Sequence, residues 1–164
     1  MMKKAKEMER KPIAYLVLED GTVMKGKSFG TVGKTIGQMA FDTSITGCQE
    51  RLTDEKSKGK IITQTFPLVG NYGLNDEDYT SDRVWAKGYI VREWCEEPSN
   101  FRSKYTIDEF LEKHNTVGIS NIDTRSLTKK IRDAGTLKGA IVAELPADLN
   151  QLISEIKNET GEAE

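Results

Sequence analysis

Cys48, Cys95 and His114 are the residues through which this chain could perform nucleophilic catalysis, because a thiol needs a nearby base to become a thiolate. His114 is the single histidine, so every histidine-dependent mechanism must run through it. A Cys48–His114 nucleophile–base pair is one reading. No small-residue elbow surrounds Cys48, and no loop resembles an oxyanion hole. A histidine near the end of a short helix is more commonly a partly buried or capping residue. Two cysteines without a CxxC fit neither a disulfide framework nor a zinc ribbon, and read as reduced thiols. No metal site is expected.

Gly33-Lys34-Thr35 carries the end of a phosphate-binding loop but not its beginning. The pattern needs a glycine where Ser28 stands, and Gly30 is too close. Glycines that permit turns are the better reading. Arg125, Lys129, Lys130, Arg132 and Lys138 make one predicted helix and its exit basic. That face could meet phosphates or an acidic protein. An exposed helix face with cations near its C-terminus explains it more simply. Asp76-Glu77-Asp78 lacks the glycine and terminal Glu of a calcium loop.

The elements that would position these residues are strands first, then alternating helices and strands. Ile13–Glu19 and Thr22–Phe29 flank Asp20-Gly21, the strongest hairpin signal in the chain. Gly30, Gly33 and Gly37 read as turns or bulges. Met39–Thr43, Ile61–Phe66 and Val84–Val91 are predicted strands, with 71–82 a long surface loop. Thr106-x-x-Glu109 opens a helix to about Asn115, with Ile107, Phe110, Leu111 and His114 on one face. Val117–Ser120 is a short strand. Asp123 caps a second helix, with Leu127, Ile131 and Ala134 inward and Gly135 as its stop. Gly139–Ala143 is a final strand, and Leu149, Leu152, Ile153 and Ile156 pattern a last helix. The class is mixed α/β.

The chain has 164 residues, 30% of them charged, and a net charge of -2. A chain near that length buries about 70% of its unfolded surface and needs no staple. No run of about 18 apolar residues suggests a membrane span, and the charged N-terminus lacks the apolar stretch of a secretory signal, so a cytoplasmic location is expected. Residues 1–12 hold five basic and two acidic side chains, and 144–164 one basic and six acidic. A neutral body with a basic head and an acidic tail lacks the field of a nucleic-acid binder. The expected organisation is a flexible basic tail at 1–12, one folded domain at 13–157, and an acidic tail or linker at 158–164.

Several segments in order resemble one family. They are Leu18-Glu-Asp-Gly-Thr22, Phe41-Asp-Thr-Ser-Ile-Thr-Gly47, Gln49-Glu50, Leu52-Thr-Asp54, Gln64-Thr-Phe-Pro-Leu-Val-Gly-Asn-Tyr-Gly73, Ser99-Asn-Phe-Arg102 and Gly118-Ile-Ser-Asn-Ile-Asp-Thr-Arg-Ser-Leu-Thr128. This looks like the N-terminal domain of the small, glutamine-using subunit of carbamoyl phosphate synthase, matched from about Ala14 to Ala143. The resemblance implies a swivelling β/β/α-type domain that precedes a glutamine amidotransferase domain and packs on the large synthetase subunit. In that family carbamoyl phosphate is made from glutamine, bicarbonate and ATP for arginine and pyrimidine synthesis, with ATP and Mg bound by the large subunit and no cofactor in this domain. The family's catalytic cysteine lies in the amidotransferase domain, and neither Cys48 nor Cys95 matches its motif. This chain alone is therefore expected not to hydrolyse glutamine.

The family places one glutamine-contacting serine here, in a Thr-Asp-Pro-Ser-Tyr pattern. The corresponding run is Thr53-Asp54-Glu55-Lys56-Ser57. Aligned without a gap, Lys56 takes the serine's place; a one-residue shift restores Ser57. Cys48 and Arg51 also depart from the family's usual residues. Phe66, Tyr72, Trp94 and Phe101 are candidate interface anchors. The expected role is a noncatalytic subunit domain that docks on the large subunit, sits beside the glutaminase domain and helps shape the glutamine site. A stand-alone adaptor of the same fold with a changed partner is the alternative, and a small thiol enzyme using Cys48 and His114 a third reading.

Overall fold

The computed structural model describes residues 12–43, 52, 55–65, 68–69, 84–94 and 107–159. Strands β1 (Ile13–Leu18) and β2 (Val23–Gly30) form the hairpin that Asp20-Gly21 predicts. Gly21 takes φ +95°, and the Thr22 N–H donates to Asp20 Oδ1 at 2.9 Å, closing the turn with an aspartate side chain. The next strands are β3 (Thr35–Asp42), β4 (Lys60–Gln64), β5 (Leu68–Val69), β6 (Gly88–Ile90), β7 (Glu93–Trp94), β8 (Val117–Ser120) and β9 (Lys138–Val142). Helices α1 (Ile107–Lys113), α2 (Thr124–Ala134) and α3 (Leu149–Asn158) complete the set.

Seven strands close into a barrel in the order β1-β2-β8-β6-β4-β3-β9. Strands β3, β4, β6 and β8 run parallel as one block, and the antiparallel β1, β2 and β9 close the ring. Strands β5 and β7 pair separately, in parallel. The mixed α/β expectation holds at that level.

The alternation of side chains along each strand explains the layers. On β1, Leu16 and Leu18 join one buried cluster with Ile61, Ile90, Ile119 and Ile141, while Val17 turns to a second with Ala140, Leu152 and Ile156. On β4, Ile61 faces the first cluster and Ile62 a third, which holds Phe29, Tyr89, Phe110 and Leu111. Both faces of these strands are therefore apolar, and α1 and α3 cover two of the outer layers. Helix α2 contributes Leu127 and Ile131 to the first cluster.

Asp123 caps α2 as expected, its side chain accepting from Ser126 N at 3.1 Å, and Gly135 ends it at φ +75°. Four local expectations need correction. Strand β3 begins at Thr35, so Gly37 lies inside a strand, opposite Gly139, and not in a turn. Val84–Ala86 is irregular, leaving only Gly88–Ile90 of the predicted 84–91 strand, because Trp85 and Lys87 bond to Leu52 and Lys60 through single contacts instead of a ladder. The last strand is Lys138–Val142. Ala134 is exposed, since α2 turns its last residues outward. The tails at 1–11 and 160–164 and the loop at 71–82 lie outside the described residues.

Candidate functional site

The two ends of the barrel carry different chemistry. At the amino ends of β4 and β6, a 3₁₀ turn (Glu55–Ser57) precedes β4. Its Lys58 N–H donates to Glu55 O at 3.1 Å, and Gly59 takes φ +77° to turn the chain into the strand. Neighbouring side chains of this turn go opposite ways. Lys56 is exposed, whereas Ser57 is fully buried. Lys58 Nζ lies 5.6 Å from the centre of the Trp85 ring, a cation–π contact.

The end of α3 is fastened at this same edge. Lys138 Nζ donates to the carbonyl oxygens of Glu159 at 2.5 Å and Lys157 at 3.3 Å, and Lys87 Nζ lies 3.6 Å from Glu159 Oε1. Lys87 in turn donates its backbone N–H to Lys60 O at 2.8 Å, at the first residue of β4. A lysine at a helix C-terminus satisfies carbonyls that the helix leaves open. Its effect here is to hold Glu159 near the start of β4, which the 3₁₀ turn leads into.

At the opposite end, the parallel strands finish together. The Asp42 carbonyl accepts from Thr65 N at 3.0 Å, Thr65 Oγ1 at 3.0 Å and Gln64 Nε2 at 3.2 Å. Tyr89 donates its hydroxyl to Gln64 Oε1 at 2.9 Å inside the protein. A cleft of about 550 Å³ opens beyond β6 and β8, lined by Arg92, Glu93, Asn121, Ile122, Asp123 and Arg125. Asn121 adopts φ +62°, and its N–H donates to Arg92 O at 2.9 Å, joining the two chain segments under the cleft. Carboxyl ends of parallel strands are where such sheets commonly present ligand sites. The runs beginning at Phe41, Gln64 and Gly118 all reach this end.

The remaining sequence candidates scatter. Lys56 and Ser57 share the 3₁₀ turn. Cys48, Cys95, the 76–78 acidic run, Phe66, Tyr72 and Phe101 lie outside the described residues, and of Trp94 only its place in β7 is described. His114 follows α1, its ring 4.8 Å from that of Phe110. Burial, and secondarily the Lys113 charge, lower its pKa below the usual 6.5. Gly33 and Lys34 lie before a strand and do not open a helix; Lys34 Nζ pairs with Glu155 Oε2 at 2.6 Å beside a second cavity of about 480 Å³. The basic residues around α2 do not act together. Lys130 reaches Asp20 at 3.4 Å, Arg132 lies 5.7 Å from the Phe41 ring, Lys138 holds α3, and Arg125 lines the cleft. Among the described residues no group of three or more His, Cys, Asp or Glu could hold a metal ion.

Sequence reasoning missed Arg92 and Asn121. Asn121 directly follows β8 and Arg92 comes two residues after the end of β6, both at the same edge, and that position was the available signal.

The chain is similar to known proteins over most of its length. The family model described as carbamoyl-phosphate synthase small chain, CPSase domain, matches residues 16–141. The carbamoyl phosphate synthase small chain of Streptococcus agalactiae serotype III (strain NEM316) is 50% identical over 129 residues, 79% of this chain and 36% of that protein. The small chain of Archaeoglobus fulgidus is 49% identical over 128 residues, 78% of this chain and 36% of its own length. The pyrimidine-specific small chain of Bacillus subtilis (strain 168) is 46% identical over 145 residues, 88% and 39% of the two chains. The chain thus spans little more than a third of the length of these curated relatives.

Proposed function

The chain belongs to the carbamoyl-phosphate synthase small-chain family, and from that premise we propose that it serves as the noncatalytic N-terminal domain of the small subunit of glutamine-dependent carbamoyl phosphate synthase. In this reading it is a swivelling β/β/α-type domain, folded over 13–157, working in the cytoplasm in arginine or pyrimidine synthesis. It docks on the large subunit, packs beside the glutaminase domain and helps shape the glutamine site. No helix among the described residues is long and apolar enough to cross a membrane.

The observation that carries the reading is that the 3₁₀ turn and the end of α3 both reach the edge of the barrel where β4 starts. Glu159, held by Lys138 and Lys87, sets the exit of α3 at the edge where the turn bearing Lys56 and Ser57 leads into β4. A glutaminase domain joined there would close over the exposed Lys56, which adds positive charge at that edge, while the buried Ser57 supports the turn from inside. The domain supplies shape and charge; the covalent step belongs to the glutaminase.

The test is reconstitution. The chain should release no ammonia from glutamine, alone or with added large subunit, and should co-purify with that subunit. Failure to bind under conditions where a complete small subunit binds would overturn the reading. A second reading, an adaptor with a changed partner, draws on Lys56 standing where the family's serine is expected. It predicts capture of a protein other than the large subunit.

A further inference from the structure

Arg92 and Arg125 approach one cleft from different elements, Arg92 from the turn between β6 and β7, Arg125 from the first turn of α2. Both side chains are exposed, and among the described residues neither guanidinium has an ion-pair partner. Lys34, Lys87 and Lys130, by contrast, are each engaged with a carboxylate. Two unpaired guanidinium groups over one polar cleft are suited to bidentate capture of carboxylates. The side-chain amide of Asn121 adds a neutral donor on the same wall.

Resting on the subunit reading, we propose that this cleft is a docking surface for an acidic segment of the partner subunit. A protein occupant fits better than a small anion. Of the six lining residues only Ile122 is buried, so the cleft could not enclose most of a small ligand's surface, as small-molecule sites do. Arginine is enriched at protein interfaces. Glu93 and Asp123 on the same walls balance the two arginines and so disfavour a continuous run of phosphates. A peptide, by contrast, can set separate carboxylates against Arg92 and Arg125 and offer its amides or hydroxyls to the two acids. The cleft also lies at the opposite end of the barrel from the 3₁₀ turn and Glu159. The domain can therefore meet its own glutaminase at one end and a second protein at the other.

The test compares the full chain with its Arg92→Glu and Arg125→Glu variants for binding to a carbamoyl phosphate synthase large subunit, by sedimentation or calorimetry. Lys129→Glu, an exposed position later on α2, controls for net charge. Circular dichroism and thermal unfolding check that each variant is folded. Each arginine reversal should weaken binding about tenfold or more, with Lys129→Glu near wild type. Wild-type binding that both reversals leave unchanged would overturn the docking surface and spare the subunit reading. No wild-type binding, where a complete small subunit binds, would overturn both. Equal loss from Lys129→Glu would replace the cleft by general charge attraction. Saturable binding of inorganic phosphate that Arg125→Glu abolishes, with subunit binding intact, would make it a small-anion site instead.

Discussion

The Asp108 carboxylate on α1 accepts a 2.6 Å hydrogen bond from the backbone N–H of Gly30, the last residue of β2 and 78 positions away. The bond is buried and fixes α1 against the barrel where β2 leaves it. Asp108 is only 6% exposed, so its removal would leave an amide donor inside the protein. Losing a charged hydrogen bond of this kind costs about 1.5–3 kcal/mol. Asp108→Ala should therefore lower the urea midpoint and the Tm by several degrees; an unchanged Tm would show that the contact contributes nothing net.

Gly30 itself sits at φ +68°, and a Cβ there would lie 2.6 Å from Leu111 Cβ and 2.9 Å from Thr116 O. Gly21 also has positive φ, +95°, but a Cβ there meets nothing within 4 Å. Both alanine variants bear backbone strain of about 1 kcal/mol. Only Gly30→Ala adds a clash with packed atoms. Paired unfolding curves should show Gly30→Ala destabilised by at least about 1 kcal/mol more than Gly21→Ala.

His114 gives stability a pH dependence near neutrality. Burial, reinforced by Lys113, lowers its pKa from 6.5 in the folded state. As pH falls below 6.5 the unfolded chain takes up a proton that the folded chain resists, so stability decreases. The loss stops deepening once the pH passes the lower folded value. Urea titrations between about pH 5 and 7.5 should show this slope, and His114→Gln should flatten it. An identical slope in the variant would assign it to other groups.

Asp20 works in the opposite range. Partial burial tends to raise its pKa, but hydrogen bonds from Thr22 and the Lys130 charge outweigh this and hold it below 3.8. A depressed carboxylate contributes stability above its unfolded pKa, and that contribution is lost as pH falls through the folded value. Asp20→Asn should thus be less stable than wild type at neutral pH, with the gap closing in acid. A gap that persists unchanged in strong acid would mean that geometry alone, not charge, sets the effect.

How much was legible in the sequence depends on the range of each interaction. The Asp20-Gly21 hairpin, the Asp123 cap and the Gly135 stop depend on neighbours within a few residues, and each appears where its residues stand. The ring closure depends on Tyr15 meeting Val142 and Gln38 meeting Lys60, and no local pattern encodes such pairings. Gly37 looked like a turn because its bareness serves another purpose: a Cβ there would come 2.9 Å from Gly59 O. The same division holds for the candidate sites. Family runs pointed to the 3₁₀ turn, while the Arg92–Arg125 cleft joins residues that only the barrel brings together.

The 3₁₀ turn itself can be divided by experiment. Lys56 is exposed, and surface substitutions away from special features usually change stability by less than about 0.5 kcal/mol. Ser57 is fully buried, so truncating it disturbs a packed polar group at about 1 kcal/mol. Lys56→Ala should unfold with wild type, and Ser57→Ala should unfold earlier. Placed within a complete small subunit, the ranking should invert for function. Lys56→Ala should raise the KM for glutamine at nearly constant kcat, because a contact made equally in ground and transition states changes binding alone. Ser57→Ala should move KM less. Equal KM values in all three proteins would remove the turn from the glutamine site and leave it a purely structural entry into β4.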